Sequence, residues 1–185
     1  SFLRPTFVEM MEELETNVYL LHRGWALDAS NQIQAFLSRN ERAIANAVDI
    51  LNQNPDTVNE VVARLMKENQ PFEAVSILDL EAREVFKNHR FLLITKADLR
   101  DFSSDELLDF IKEGKVYRGP VLISGVSEPL ITIAVPLREN NRFLAIVVDI
   151  NLKFLSDVVR NVPRGTGAQA YVADKDGYVI AHPNS

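Results

Sequence analysis

The sequence predicts an α+β fold: a long N-terminal helix packed on an antiparallel five-stranded sheet, followed by a further hairpin. Two observations carry this. The helical pattern runs almost unbroken through about the first fifty residues, and five β-rich runs lie between residues 72 and 152, the last two flanking a short polar turn.

The helical pattern spans about Pro5 to Asn52, with Pro5 suited to a first-turn position. At about 1.5 Å per residue it would reach roughly 70 Å, far more than a small domain needs. Phe7, Met11, Leu14, Val18, Leu21 and Trp25 recur at alternating spacings of four and three, a heptad-type seam that fits a partner helix across a dimer axis. Ile33, Leu37, Ile44, Val48 and Leu51 form the broader stripe that covers a sheet. A single long amphipathic core helix is the other reading of the same pattern. Gly24 lies inside it, where a helix either tolerates an isolated glycine or bends.

Asn52 to Pro55 breaks the helix, and Asp56 reads as the N-cap of a shorter one ending near Glu68. Phe72 to Asp79 reads as a strand, Ala82 to Phe86 as its partner, and Asp79 to Glu81 as the turn between them. The stretch His89 to Phe102 is ambiguous, with Phe91 to Thr95 either a strand or a buried loop. Ser103-Ser-Asp-Glu106 matches a capping box ahead of an apolar helical run, and Gly114 suits the position just past its end. Val116 to Ser124 resumes the sheet.

Glu128 to Leu137, the turn Arg138 to Arg142, and Phe143 to Leu152 form the central hairpin. Strand alternation puts Ile131, Ile133, Val135 and Leu137 on one face and Leu130, Thr132 and Ala134 on the other. In the second strand Leu144, Ile146, Val148 and Ile150 oppose Phe143, Ala145, Val147 and Asp149. One face is bulky throughout; the other mixes small residues with one carboxylate, which suits a ligand pocket or a closely packed helix. Asn151 is placed to cap a helix from about Leu152 to Val162, stopped by Pro163 and Gly165. Gly167 to Ala173, the turn Asp174-Lys-Asp-Gly177, and Tyr178 to Ala181 make a last hairpin. A lone hairpin is marginal in water, so it reads as the opening of a second domain.

The 185 residues carry a formal net charge of −6, and no Lys/Arg cluster supplies a phosphate-binding surface, which argues against nucleic acid. The absence of cysteine excludes disulfides and thiolate metal sites without fixing the compartment. His22, His89 and His182 are scattered, so no metal or cofactor is expected. Asp174-Lys-Asp-Gly177 starts like a calcium loop but lacks the remaining ligands and the closing Glu, and reads as a turn. No nucleophile–base arrangement appears, so the chain is expected not to be an enzyme. No apolar run reaches the roughly 18 to 20 residues that span a bilayer, and the amino terminus has no signal-peptide pattern.

Val116-Tyr-Arg-Gly-Pro-Val121, the segment Glu128 to Leu137, Val148 to Val159, and Gly167 to Asp174 with Ile180-Ala-His-Pro183 together resemble the double Cache sensor module. The resemblance implies two PAS-like antiparallel sheets carried by a long helix on the extracytoplasmic, periplasmic side of a bacterial cell membrane. The membrane-distal sheet usually holds the ligand. By that resemblance residues 1 to about 164 are the helix and distal domain, and residues 165 to 185 begin a truncated proximal domain. It further implies a membrane-anchored receptor of histidine kinase (two-component), nucleotide cyclase or diguanylate cyclase type, with anchors and output domain outside this chain.

Amino-acid-sensing members carry an Arg-x-Trp-Tyr cluster before the third strand and an Asp near the end of the fifth. Here Ser104, Glu106 and Leu107 stand where that cluster would be, whereas Asp149 falls where the amine-binding Asp sits. Without an Arg to clamp a carboxylate bidentately, an α-amino acid is a poor first expectation. Asp149 either receives a cationic or hydroxyl group of a ligand or caps the following helix. Tyr117 and Arg118 point to opposite faces, so at most one faces the pocket; Arg118 would pair with an anionic ligand or lie in solvent. Thr132 offers a hydroxyl, or is there for its β-propensity. Arg90 and Lys96 lie in the ambiguous stretch that would lid the pocket, with surface charge as their ordinary role. The expected function is a sensor domain that binds a small ligand and dimerises through the N-terminal helix; the alternative is a dimerisation or partner-docking scaffold without a small ligand.

Overall fold

The structure, a computed structural model, describes residues 6–10, 16–20, 23–123, 128–161, 171–174 and 179–182. It contains two compact units, one of residues 1–39, 121–129 and 152–185, the other of residues 40–120 and 130–151.

The second unit holds most of the sheet that the sequence predicts. Strands β3 (Phe72–Leu78), β4 (Glu84–His89), β5 (Tyr117–Ile123), β6 (Pro129–Pro136) and β7 (Ala145–Asn151) lie in the order β4-β3-β7-β6-β5. β3 pairs antiparallel with β4 on one side and β7 on the other, and β6 pairs antiparallel with β7. Residues paired across antiparallel strands share a face. On the bulky face Val75, Ile77, Ile131, Ile133, Ile146, Val148 and Ile150 are all fully buried. Helix α2 (Val58–Glu68) packs on β3 and turns Val61, Val62, Leu65 and Met66 inward. The end of helix α1 (Arg23–Gln53) is tied to the β6–β7 turn, where Asn141 donates to the Leu51 carbonyl at 2.9 Å. The opposite face packs Leu78, Ala134, Ala145 and Val147 with Phe102, Tyr117 and the inner side of helix α3 (Glu106–Lys112), namely Leu107, Leu108 and Ile111.

The caps differ from those expected. Asn54, not Asp56, caps the short 3-10 turn Pro55–Thr57 that leads into α2; its Oδ1 accepts from the Asp56 amide, and the Asp56 carboxylate pairs with Arg142 at 2.7 Å. Asp105, not the Ser103–Glu106 box, caps α3 by accepting from the Leu107 amide, and Gly114 ends it at φ +70°. The segment after β4 contains no strand: Phe91, Leu92 and Leu93 are exposed, and Thr95 with Asp98 forms a capping box around the 3-10 turn Lys96–Asp98.

In the first unit β1 (Thr6–Met10) and β2 (Thr16–Leu20) pair with β8 (Tyr171–Asp174) and β9 (Val179–Ala181) in a four-stranded sheet of order β1-β2-β8-β9. The long helix is present, but its expected start near Pro5 is corrected: α1 begins at Arg23, and Phe7 and Val18, expected in a helical heptad seam, lie in strands. Over short windows spacings of three and four do not exclude a strand pair, and Thr6-Phe-Val and Thr16-Asn-Val-Tyr-Leu20 are rich in β-formers. The last hairpin is not alone, since β8 pairs with β2 from Thr16↔Asp174 to Tyr19↔Tyr171. Helix α4 (Lys153–Arg160) lies against β8 and β9, and its Phe154 stacks on Phe36 of α1 at 4.8 Å between ring centroids. Leu152 rather than Asn151 is its N-cap. The expected stop at Pro163 and Gly165, the Asp-Gly turn of the last hairpin, and Met11, Leu14 and Leu21 lie outside the described residues.

Candidate functional site

The site is a row of polar groups on the α3-covered face of the five-stranded sheet, beyond the apolar cluster. It starts at the register pair Thr132↔Asp149, where the Thr132 hydroxyl donates to Asp149 Oδ1 at 2.6 Å. Both residues are half-buried. A carboxylate in the central strand β7 therefore has one acceptor position occupied by its own sheet and keeps further lone pairs for another donor.

Glu73 is brought beside this pair by a fault in the sheet. Between Phe72↔Ile150 and Ala74↔Asp149, β3 advances two residues while β7 advances one, so Glu73 is the extra residue of a β-bulge. Regular alternation would turn Glu73 to the bulky face with Val75. The bulge turns it to the Asp149 face instead, where its carboxylate accepts from Asn151 Nδ2 at 3.3 Å and lies 3.7 Å from His89 Nε2. His89 is opposite Ala74 on the edge strand β4, and its Nδ1 accepts from the Phe91 amide at 3.1 Å. Glu73 and His89 keep only 11% and 14% of their side-chain surface, so the contact between them is largely shielded from water.

Farther along the same face Glu84 is nearly fully buried and saturated. It accepts from Ser76 Oγ at 2.7 Å, Lys87 Nζ at 3.1 Å and the Arg100 amide at 2.8 Å. This group locks the loop after β4 onto the sheet and is structural.

Of the residues singled out from sequence, Asp149 and Thr132 are brought together, and Asp149 is not a helix cap. Tyr117 faces the same side but lies in the apolar cluster, edge-on to Phe110 at 5.4 Å. Burial, reinforced by Glu106 and Asp105, pushes its phenol above the ordinary value. The close pass of this ring explains a glycine in β5: a Cβ at Gly119 would come within 3.2 Å of the Tyr117 ring and 3.4 Å of the Thr132 carbonyl. Arg118 points the other way and pairs through Nε with Glu41 of α1 at 2.9 Å. Arg90 is a fastening: Nε donates to the Phe72 carbonyl at 2.9 Å and Nη2 to the Met66 and Asn69 carbonyls at 2.7 and 2.9 Å. Its guanidinium is turned to carbonyls at the end of α2 and the start of β3. Lys96 is exposed in the 3-10 turn, and nothing places it on the polar row.

Sequence reasoning missed Glu73, His89 and Asn151. The register that gathers them depends on a single bulge, for which Phe72-Glu-Ala-Val carries no glycine or proline signal. Among the described residues no three His, Cys, Asp or Glu side chains gather as a metal set, and no helix is long and apolar enough to cross a membrane. A separate cleft of about 340 Å³ opens between α1 and α2, lined by Ala43, Asn46, Ala47, Val61, Arg64, Leu65, Glu68 and Asn69.

No family model matches the chain, and no curated protein matches it. Solved structures do. The sensory domain of the Campylobacter jejuni chemoreceptor Tlp3 superposes with a TM-score of 0.66 at 12% identity, over 87% of this chain and 70% of that one. The ligand-binding domain of the Pseudomonas aeruginosa amino-acid chemoreceptor PctC, in complex with GABA, gives 0.65 at 16% identity, over 85% and 71%. The ligand-binding domain of Mlp24 with asparagine gives 0.63 at 20% identity, over 85% and 67%. The long helix, the antiparallel five-stranded sheet and these superpositions establish that the chain has the PAS-like, Cache-type fold of bacterial chemoreceptor sensory domains.

Proposed function

We propose that the chain is the extracytoplasmic, periplasmic sensor domain of a bacterial membrane receptor and binds a small molecule at the Thr132–Asp149 row. The observation that carries this reading is a half-buried carboxylate in the central strand, held by one hydroxyl and flanked by Glu73 and Asn151, on the face that carries α3. A purely apolar filling of that face would favour the scaffold alternative; the polar row does not fit it. Likeness of fold to receptor domains solved with amino acids or GABA supports a ligand of that size.

The groups in the row accept far more than they donate, and Arg118 and Arg90 are engaged elsewhere. The ligand therefore presents an ammonium or hydroxyl group to Asp149, and its recognition does not depend on an arginine clamp on a carboxylate. The binding event is passed on along α1 to an output domain outside this chain. That requires a difference in affinity between two arrangements of the receptor, since equal affinity shifts nothing.

A panel of amines, amino acids and small hydroxylated metabolites, screened by thermal shift, tests the reading. A binder raises the melting temperature in step with its concentration, and Asp149→Asn removes most of that rise. A panel without a single shift would favour the scaffold. Pairing with a second copy belongs to the same reading, with α1, whose Leu27 is exposed, as the surface in place of the strands at Phe7 and Val18. Sedimentation across a concentration range reads it directly.

A further inference from the structure

His89 is held in one tautomer by two neighbours of fixed character. The Phe91 amide can only donate, so His89 Nδ1, 3.1 Å away, carries a lone pair in this structure. The proton of the neutral ring is then on Nε2, which faces Glu73 Oε1 at 3.7 Å. A second proton makes both ring nitrogens donors. The imidazolium gains an ion pair with Glu73 and loses the Phe91 hydrogen bond, because two N–H groups would then face each other.

What hangs on that hydrogen bond is specific. The Arg90 amide donates to the Glu73 carbonyl at 2.8 Å, so the chain is fastened to the sheet up to Arg90 whatever the state of His89. At the other end Thr95 is fastened by Asp98, which accepts from both its amide and its hydroxyl at 2.7 Å. Phe91, Leu92 and Leu93 lie between these fastenings with 73%, 61% and 97% of their surface exposed, and the Phe91 ring meets the His89 ring edge-on at 6.3 Å. The first bond past the Arg90 fastening is the one to His89.

We propose that His89 is a proton-operated latch on the Phe91–Leu93 strap: neutral, it fastens the strap through Nδ1; protonated, it turns to Glu73 and lets the strap go. The latch stands on its own geometry and does not require a ligand in the neighbouring row. The other groups around His89 leave the ring as the part that changes. Glu73 approaches from β3, and Asp149 lies one strand farther along the same row. On β4 itself Lys87 is bound to Glu84, and the Arg90 guanidinium is turned to the α2 carbonyls. Helix α2, which also packs on β4, keeps its charged side chains on exposed positions and its apolar ones inward.

Amide hydrogen exchange of the intact chain, with each protection factor corrected for the intrinsic rate at each pH, tests the latch from pH 8 to 5. The protection of the Phe91 amide falls about fivefold, one hydrogen bond's worth, with a midpoint matching the His89 ring resonances. The Thr95 amide is the internal control: its Asp98 partner is held below the usual carboxylate range by the Thr95 hydroxyl and stays ionised throughout. His89→Asn keeps an acceptor two residues before the same amide without a titrating group, as in an Asx turn, and its Phe91 protection does not vary with pH. Phe91 protection that stays constant in the unaltered protein while the His89 ring titrates overturns the proposal, as does a pH-dependent fall that persists in His89→Asn.

Discussion

Thr132 and Asp149 face each other across β6 and β7 and share a 2.6 Å hydrogen bond, so the sheet itself orients the carboxylate. The bond joins a hydroxyl to a charged group, a stronger class than neutral pairs, but both partners are half-buried and water competes. Thr132→Val keeps the shape and β-propensity and removes the donor. It should lower stability in urea by about 1 kcal/mol with an unchanged m-value. No loss would mean that water holds Asp149 as well as Thr132 does.

Arg90 donates to three backbone carbonyls at the junction of α2 and β3, those of Met66, Asn69 and Phe72, and so ties the two elements together. Arg90→Met should cost about 2–3 kcal/mol by the same measurement. Arg90→Lys should recover less than half, because one ammonium cannot reproduce a planar fork across three acceptors. Full rescue by lysine would contradict the fastening described above.

Ala82 ends the β3–β4 turn at φ +62° with its methyl fully buried. A left-handed non-glycine residue costs roughly 1–2 kcal/mol, whereas one buried methyl contributes about 0.8 kcal/mol. Ala82→Gly should therefore be neutral to slightly stabilising. Ala82→Val adds bulk to a filled core at a backbone angle that branching disfavours, and should cost about 2 kcal/mol or more. Thermal denaturation of the two variants checks both signs.

Burial first, and the Glu106 and Asp105 carboxylates second, raise the pKa of Tyr117 in the folded state. The unfolded phenol titrates near about 10. Its contribution to stability is therefore fully present below that value and is lost as pH rises through the higher folded value. Stability measured from pH 9 to 12 should fall, and Tyr117→Phe should flatten part of that fall. An identical decline in the variant would place the cause elsewhere.

The β6–β7 hairpin, the β3–β4 turn and α3 with its closing Gly114 are legible because alternation and turn or helix-ending residues act within a few residues, whereas the N-cap of α3 falls on Asp105 and not on the expected box. The placement of Thr132 and Asp149 on one face followed from the same alternation. Phe7 to Leu20 was misread because its apolar residues fit helical spacing, while the partner that makes it a sheet, β8, lies more than a hundred residues away. Glu73 was missed because a bulge breaks the period-of-two rule that alternation relies on. Arg90 reads in sequence as a pocket-lid residue or a surface charge in the ambiguous stretch His89 to Phe102; only the fold brings the α2 terminus to its guanidinium.

The central claim is that the Thr132–Asp149 row receives a small molecule. Amide spectra of the intact chain, titrated with the amine and amino-acid panel, test it most directly. The account predicts at least one compound whose saturable shifts concentrate at Thr132, Asp149, Glu73 and Asn151 and are lost in Asp149→Asn. Shifts that map to the α1–α2 cleft around Arg64 and Glu68, or no saturable shift from any compound, would contradict it.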